Sequence, residues 1–287
     1  MSAEIIDGKA ISQSIRNDIA RRVKRMAERN IVPGLATVLV GTNPASQVYV
    51  RNKRKLALEA GMYSELHELS GETPEQELLK LIDSLNRNPK IDGILVQLPL
   101  PRALNERTVI HAISPEKDVD GLHPLNAGRL VTGAEGFVPC TPFGVMKLLE
   151  ASKVTIEGQR AVVLGRSILV GKPVALLLLQ QNATVTVCHS KTAGLESILR
   201  EADILVAAVG KANMVTRRMV KPGATVIDVG INRLPDGKLT GDVDFEGVRQ
   251  VAGKITPVPG GVGPMTIAML LENTLISAGR SRGLTFE

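Results

Sequence analysis

The alternation of apolar strand-like runs with amphipathic helical runs constrains this chain more than any other feature. An opening helix carries Ile11, Ile15, Ile19 and Val23 on one face and the basic residues between Arg21 and Arg29 on the other. Gly34-Leu-Ala-Thr-Val-Leu-Val40 then reads as a buried strand ended by Gly41, followed by a polar helix from Pro44 to Ala60 closed by Gly61. Tyr63–Leu69 alternates as a strand, Thr73–Leu85 has helical spacing, and Asp92–Leu98 is a buried strand halted by Pro99 and Pro101. After an irregular stretch the order repeats. A helix at Pro142–Ser152 leads to a strand at Gln159–Gly165 and a helix at Gly171–Gln181. Strands follow at Ala183–Cys188, Asp203–Val209 and Ala224–Val229, and the chain closes on a helix at Pro264–Ala278. The order βαβαβ implies parallel strands with helices on the faces. With 287 residues, more than one core usually organises, the expectation is an α/β protein of two lobes. Residues 114–142, dense in Pro and Gly, read as an active-site loop system and the approach to the second lobe.

Composition excludes several functions. Nucleic-acid binding wants a basic stripe with stacking aromatics, but the net charge of +6 is dispersed and the chain has no Trp, two Tyr and four Phe. Small anionic ligands suit that charge better. Cys140 and Cys188 form no CxxC pair, and His67, His111, His123 and His189 are scattered, so no metal is expected. Reduced thiols, the acidic and weakly apolar Met1–Lys9 segment, and the lack of a membrane-length apolar run together point to a cytoplasmic protein away from membranes.

Gly165-Arg-Ser-Ile-Leu-Val-Gly-Lys-Pro173 lies between a strand and a helix, where dinucleotide phosphates bind on backbone N–H groups. A P-loop is ruled out: five residues separate the glycines, and Pro173 stands where the metal-binding hydroxyl belongs. The GxGxxG spacing also fails, with Ser167 at the second glycine, and a tight turn with no ligand fits the same residues. The next strand ends Cys188-His-Ser-Lys-Thr192 without the acid that would hold an NAD ribose. Ser190 and Lys191, with Arg166, suit a 2′-phosphate, which favours NADP; Lys191 also suits a plain surface position.

Tyr49 and Lys53 are four apart on the helix after the first strand and share a face. Such a pair is also common on a solvated face with a packed ring. Gln97 ends a buried strand, where α/β sheets place ligands, and needs a hydrogen-bonding partner. Asp118 and Asp120 offer carboxylates on the following loop, though both suit turns. A lysine in a desolvated site has its pKa lowered toward general acid/base work.

Taken together, several ordered segments closely resemble the bifunctional methylenetetrahydrofolate dehydrogenase/cyclohydrolase family. They are Pro44-Ala-Ser-Gln-Val-Tyr-Val-Arg-Asn-Lys-Arg-Lys55, Val96-Gln-Leu-Pro-Leu-Pro101 and Lys117-Asp-Val-Asp-Gly-Leu-His-Pro124, then Pro139-Cys-Thr-Pro142, Gly165–Pro173, Asp228-Val-Gly-Ile-Asn232 and Pro257–Thr266. Leu122 stands where the family usually has Phe, and Leu169 where it often has Ile. The resemblance implies Lys53 as the catalytic lysine, Tyr49 as the ring that packs on folate, and Gln97 as the partner of Lys53. It implies Asp120 as the carboxylate for the pterin edge, and Pro259 and Gly263 as backbone lining the folate pocket. Gly165, Arg166, Ser167, Ser190 and Ile231 match cofactor contacts. It further implies a cleft between the lobes, the second lobe being a Rossmann-like dinucleotide-binding domain. Residues 1–140 would form the folate-binding catalytic domain, with the helix of 264–287 packing back on it, and 141–263 the NADP-binding domain. The substrates would be tetrahydrofolate derivatives, polyglutamylated forms included, and the assembly a homodimer serving one-carbon metabolism and purine biosynthesis.

Two other readings compete. A shikimate dehydrogenase-like enzyme also has two lobes and NADP, yet does not call for Tyr49 and Lys53 on one helix beside Gln97-Leu-Pro. A non-catalytic NADP-binding regulator does not call for the intact set Tyr49, Lys53, Gln97 and Asp120.

Overall fold

The computed structural model describes residues 2–284. The chain runs β1 (Glu4–Ile5), α1 (Gly8–Ala27), β2 (Gly34–Val40), α2 (Pro44–Glu59), β3 (Tyr63–Leu69), α3 (Glu75–Arg87) and β4 (Gly93–Val96). It continues α4 (Glu106–Ala112), α5 (Pro124–Thr132), α6 (Cys140–Ala151), β5 (Arg160–Leu164), α7 (Gly171–Gln180), β6 (Thr184–Cys188) and α8 (Leu195–Leu199). It ends β7 (Ile204–Ala207), β8 (Thr225–Asp228), β9 (Asn232–Arg233), β10 (Leu239–Thr240), α9 (Phe245–Arg249), β11 (Lys254–Ile255) and α10 (Val262–Arg280). Among the described residues, no helix is long and apolar enough to cross a membrane.

Two compact units emerge. One comprises Ser14–Cys140 with the chain from Ile267 onward. Its sheet is parallel, in the order β3-β2-β4. Every residue of β2 and β4 is buried, which is why these strands read as unbroken apolar runs. On α3, Leu78, Ile82 and Leu85 recur at helical spacing and pack on Val38, Ile94 and Val96, each fully buried side chain contributing about 2 kcal/mol. The C-terminal part of α10 joins this unit through polar side chains that satisfy buried carbonyls. Asn273 Nδ2 donates to Val119 O at 2.8 Å, and Ser277 Oγ donates to Asp92 O at 2.6 Å.

The other unit comprises the chain up to Gln13 and Thr141–Thr266. Its six-stranded sheet is parallel throughout, in the order β1-β11-β8-β7-β5-β6, with an aliphatic core from Val162, Leu164, Leu205 and Val226.

Two expectations are corrected. The first residues do not belong with the rest of 1–140. Glu4 and Ile5 pair in register with Lys254 and Ile255, and this backbone pairing places the N-terminus in the six-stranded unit. Nor are residues 114–142 wholly irregular, since they contain α5. His123 caps that helix by accepting the Leu125 N–H on its side chain, Pro124 occupies its first turn, and Gly133 ends it at φ 71°.

Candidate functional site

In both sheets the chain leaves a central strand for one neighbour and returns on its other side. The loops at the carboxyl ends of the two diverging strands then line a crevice suited to ligands. In the three-stranded sheet these loops follow β2 and β4. The first leads into α2, where Asn43 caps the helix by accepting the N–H groups of Ala45 and Ser46. The second begins at Gln97 and holds a cis Leu98–Pro99 bond.

On α2, Ser46, Val50, Lys53 and Ala57 share the buried face. Lys53 is only 4% exposed, so an ammonium there has lost nearly all its water. Its Nζ donates to Gln97 Oε1 at 2.9 Å and lies 4.9 Å from the centre of the Tyr49 ring. Gln97 is itself fixed, its Nε2 donating to Leu98 O at 2.6 Å. Burial pushes the Lys53 pKa down, while the charge of Asp120 opposes the shift. Asp120, half-buried at the end of the 117–120 segment, is the nearby carboxylate. The fold thus gathers Tyr49, Lys53, Gln97 and Asp120 into one place.

Cys140 completes the group and was not singled out from the sequence. Its thiol is 2% exposed and contacts Val119 O at 3.3 Å. Burial, then the neighbouring Asp120, push its pKa well up, so it stands as a neutral thiol. Its signal was present in Pro139-Cys-Thr-Pro142, but chemistry alone did not link that segment to Asp120. The contact depends on Gly121, at φ 72°, where a Cβ would lie 2.5 Å from the Pro139 nitrogen.

In the six-stranded sheet the diverging strands are β5 and β7. Gly165 follows β5 at φ 135°, and a Cβ there would lie 2.2 Å from the Ala208 carbonyl oxygen after β7. Gly171 packs as closely on Gly165. Ser167 Oγ accepts the N–H groups of Val170 and Gly171, which shapes the turn into α7. Arg166, Ser167, Ser190 and Lys191 are exposed at the ends of β5 and β6, and no carboxylate follows Cys188 before Thr192. A backbone cradle that only glycine fits, followed by exposed hydroxyl and cationic groups, suits a phosphorylated dinucleotide. Among the described residues no cluster of three metal-ligating side chains occurs.

Ile231, 59% exposed, lines a cavity of about 150 Å³ together with Pro259 and Gly263. The sequence-expected cofactor contact and the expected folate-pocket backbone positions therefore share one wall. Two buried carboxylates shape the same region. Asp228 accepts the N–H groups of Gly230, Asp242 and Val243, and burial pushes its pKa up to about 6. Asp242, fully buried, accepts from the backbone of Val209, Gly210 and Lys211 and from Asn232 Nδ2. Asp228 ends β8 and opens the Asp228–Asn232 segment, which did not disclose its role, and Asp242 was not marked because it lies in a turn-rich segment.

Residues 6–120 match the tetrahydrofolate dehydrogenase/cyclohydrolase catalytic domain, and residues 139–282 match the NAD(P)-binding domain of the same family. The chain belongs to the tetrahydrofolate dehydrogenase/cyclohydrolase family. Within that family it is similar to the bifunctional protein FolD of Paracidovorax citrulli, at 59% identity over 99% of this chain and all of the relative. The bifunctional FolD methylenetetrahydrofolate dehydrogenase/cyclohydrolase of Campylobacter jejuni is 49% identical, with a TM-score of 0.96 over 98% of this chain and all of that one. The Trypanosoma brucei methylenetetrahydrofolate dehydrogenase-cyclohydrolase, solved with NADP and an inhibitor, is 41% identical, with a TM-score of 0.94 over 98% of this chain and 99% of that one. A Thermus thermophilus shikimate dehydrogenase shares only 16% identity and a TM-score of 0.52 over 86% of this chain and 99% of that one, a likeness of fold alone. In this dehydrogenase/cyclohydrolase, the Lys53 group falls in the segment matched as catalytic and the Gly165 turn in the segment matched as NAD(P)-binding.

Proposed function

We propose that the chain oxidises 5,10-methylenetetrahydrofolate to 5,10-methenyltetrahydrofolate with NADP and hydrolyses that product to 10-formyltetrahydrofolate, with Lys53 as the proton carrier. One observation carries this reading: a nearly fully buried lysine, aimed by a neutral Gln97 acceptor and facing the single carboxylate of Asp120. Desolvation shifts Lys53 toward the free amine, the direction a proton shuttle requires.

NADP held at the Gly165 turn would supply the acceptor for the hydride of the methylene bridge. Gly165 and Ser167 would hold its phosphates, Arg166 and Ser190 its 2′-phosphate, and Ile231 would wall its nicotinamide end. Asp120 binds the amino and ring N–H groups of the pterin, and the Tyr49 ring packs on the folate. Pro259 and Gly263 add backbone to the pocket wall. Orientation of the bridge carbon supplies much of the rate. In the second reaction water adds to the cationic bridge carbon, and the Lys53 amine takes the proton that the water sheds. The ammonium then returns a proton to N5 as the carbon–N5 bond breaks. The hydroxyl proton leaves to solvent, and the formyl group stays on N10. Gln97 keeps Nζ aimed without a negative charge that would hold the proton in place.

The segment 1–140 with the C-terminal helix would carry the folate site, less the N-terminal residues that pair with β11, and 141–263 the cofactor site. The chain forms a homodimer through the six-stranded unit. The outer edge of β6 has no strand partner among the described residues, and Val187 of that strand is an exposed apolar residue. Light scattering reads that assembly directly.

The reaction is tested by a coupled assay that follows NADPH formation and then decay of the methenyl absorbance. Turnover of both steps is expected with methylenetetrahydrofolate and none with shikimate; NADP binding without turnover would overturn the reading.

A further inference from the structure

We propose that Asp118 is a positioning residue for the pterin-binding carboxylate: it ties the turn that carries Asp120 into one arrangement. The proposal rests on the assignment of Asp120 made above. Asp118 is 1% exposed, too deeply buried to meet a substrate itself. Its Oδ1 accepts the Leu122 N–H at 3.1 Å, its Oδ2 the His123 N–H at 2.8 Å, and its carbonyl oxygen the Gly121 N–H at 3.0 Å. One residue thus ties the three that follow Asp120. The turn is also fixed from behind. Ile94 N donates to Lys117 O at 2.7 Å, which joins it to β4, and Val119 O accepts from Asn273 Nδ2 at 2.8 Å. Asp120 is left half-exposed between these ties.

A second buried group holds Asp118 in turn. Asn126 is fully buried, and its Nδ2 donates to Asp118 Oδ2 and to Pro115 O, each at 2.9 Å. Its Oδ1 accepts from Phe137 N and Arg129 Nη1. A buried carboxylate costs several kcal/mol to desolvate unless hydrogen bonds compensate it. Burial does raise the Asp118 pKa, to about 6, against the pull of Asn126, His123 and Leu122. At neutral pH it therefore stands ionised, an acceptor on both oxygens. That is a costly group to keep for a simple turn, since Asx turns form equally well with an exposed Asp or Asn.

The test is a double-mutant cycle on folate affinity, with NADP affinity measured on the same samples. Asp118→Asn turns one of the two accepting oxygens into a donor facing an N–H. It should weaken binding of the tetrahydrofolate substrate by about tenfold to a hundredfold, the range for losing one charge-assisted hydrogen bond. NADP affinity should stay within about twofold, which a general loss of folding would not allow. Asp120→Asn should weaken folate binding at least as much, and the double variant no further than Asp120→Asn alone. Asn126→Ser, which removes the donor to Asp118 Oδ2 together with the bonds to Pro115, Phe137 and Arg129 but keeps the Asp118 carboxylate, provides a second version if Asp118→Asn does not fold, with the same expected dependence on Asp120. Additive losses, or unchanged folate affinity in both Asp118→Asn and Asn126→Ser, would overturn the proposal. Unchanged affinity in Asp120→Asn would instead overturn the assignment of Asp120 on which it rests.

Discussion

Lys53 Nζ lies 2.9 Å from Gln97 Oε1, across the point where the three-stranded sheet reverses its strand order. The lysine comes from the helix after β2 and the glutamine from the end of β4, so neither residue alone defines the site. Removing the amine should separate chemistry from binding. Lys53→Met is expected to lower cyclohydrolase kcat by about 10³, within the usual contribution of a general acid/base group. NADP affinity, measured by titration, should be unchanged. Full hydrolysis by the variant would remove Lys53 from the mechanism.

The same substitution should raise stability. A buried ammonium bonded to a neutral amide is held at a desolvation cost that the charge of Asp120 offsets only in part, and burial accordingly lowers the Lys53 pKa. Methionine has a similar volume and no charge, and the half-exposed Gln97 can turn to water. A gain of about 1–3 kcal/mol is expected at neutral pH. The pH dependence fixes the sign. Between the lowered folded value and the ordinary 10.5, the unfolded chain binds more protons than the folded one, so wild-type stability rises with pH. The advantage of Lys53→Met should therefore shrink from pH 7 toward pH 10 in thermal melts. A constant advantage would show that charge is not its source.

Gly165→Ala probes the other switch point. The added methyl would meet the Ala208 carbonyl oxygen at 2.2 Å, on a backbone whose φ of 135° already disfavours any side chain. The loops after β5 and β7 must part to admit it. NADP binding is expected to fall by more than about tenfold, a loss of over 1.4 kcal/mol, while binding of a folate analogue persists. Calorimetry with each ligand checks both halves.

Much of the fold was legible because buried parallel strands write themselves as short apolar runs. Gly34–Val40 coincides with an observed strand on that ground, and Tyr63–Leu69, a part-exposed edge strand, coincides through its alternation instead. The two-residue strands β1 and β11 were not legible, since pairing of Glu4–Ile5 with Lys254–Ile255 is a long-range event with no local period. The helix α5 was obscured by its glycines, although His123-Pro124 and Gly133 mark its ends. At the site, Tyr49, Lys53 and Gln97 stood out as polar residues at buried or strand-end positions. Cys140 and Asp242 did not, and Asp228 showed only as part of the Asp228–Asn232 segment, because what makes them matter is their burial among backbone donors or beside Asp120, and burial of a residue in a loop or at the end of an element leaves no pattern in sequence.

Asp242 offers the sharpest check on that last point. Its carboxylate takes N–H bonds from Val209 at 2.6 Å, Gly210 at 2.9 Å and Lys211 at 2.8 Å, and from Asn232 Nδ2 at 2.9 Å, with no solvent exposure. It thereby joins the loop after β7 to the segment after β8 that carries Ile231. Asp242→Ala leaves those donors buried without a partner, a loss of about 3–5 kcal/mol. That corresponds to a fall in Tm on the order of 10 °C for a chain of this size. Below the melting point of the variant, KM for NADP should also rise, because the cofactor then has to order the loosened loops. A variant with wild-type Tm would mean that water replaces the carboxylate there, and that Asp242 holds neither loop.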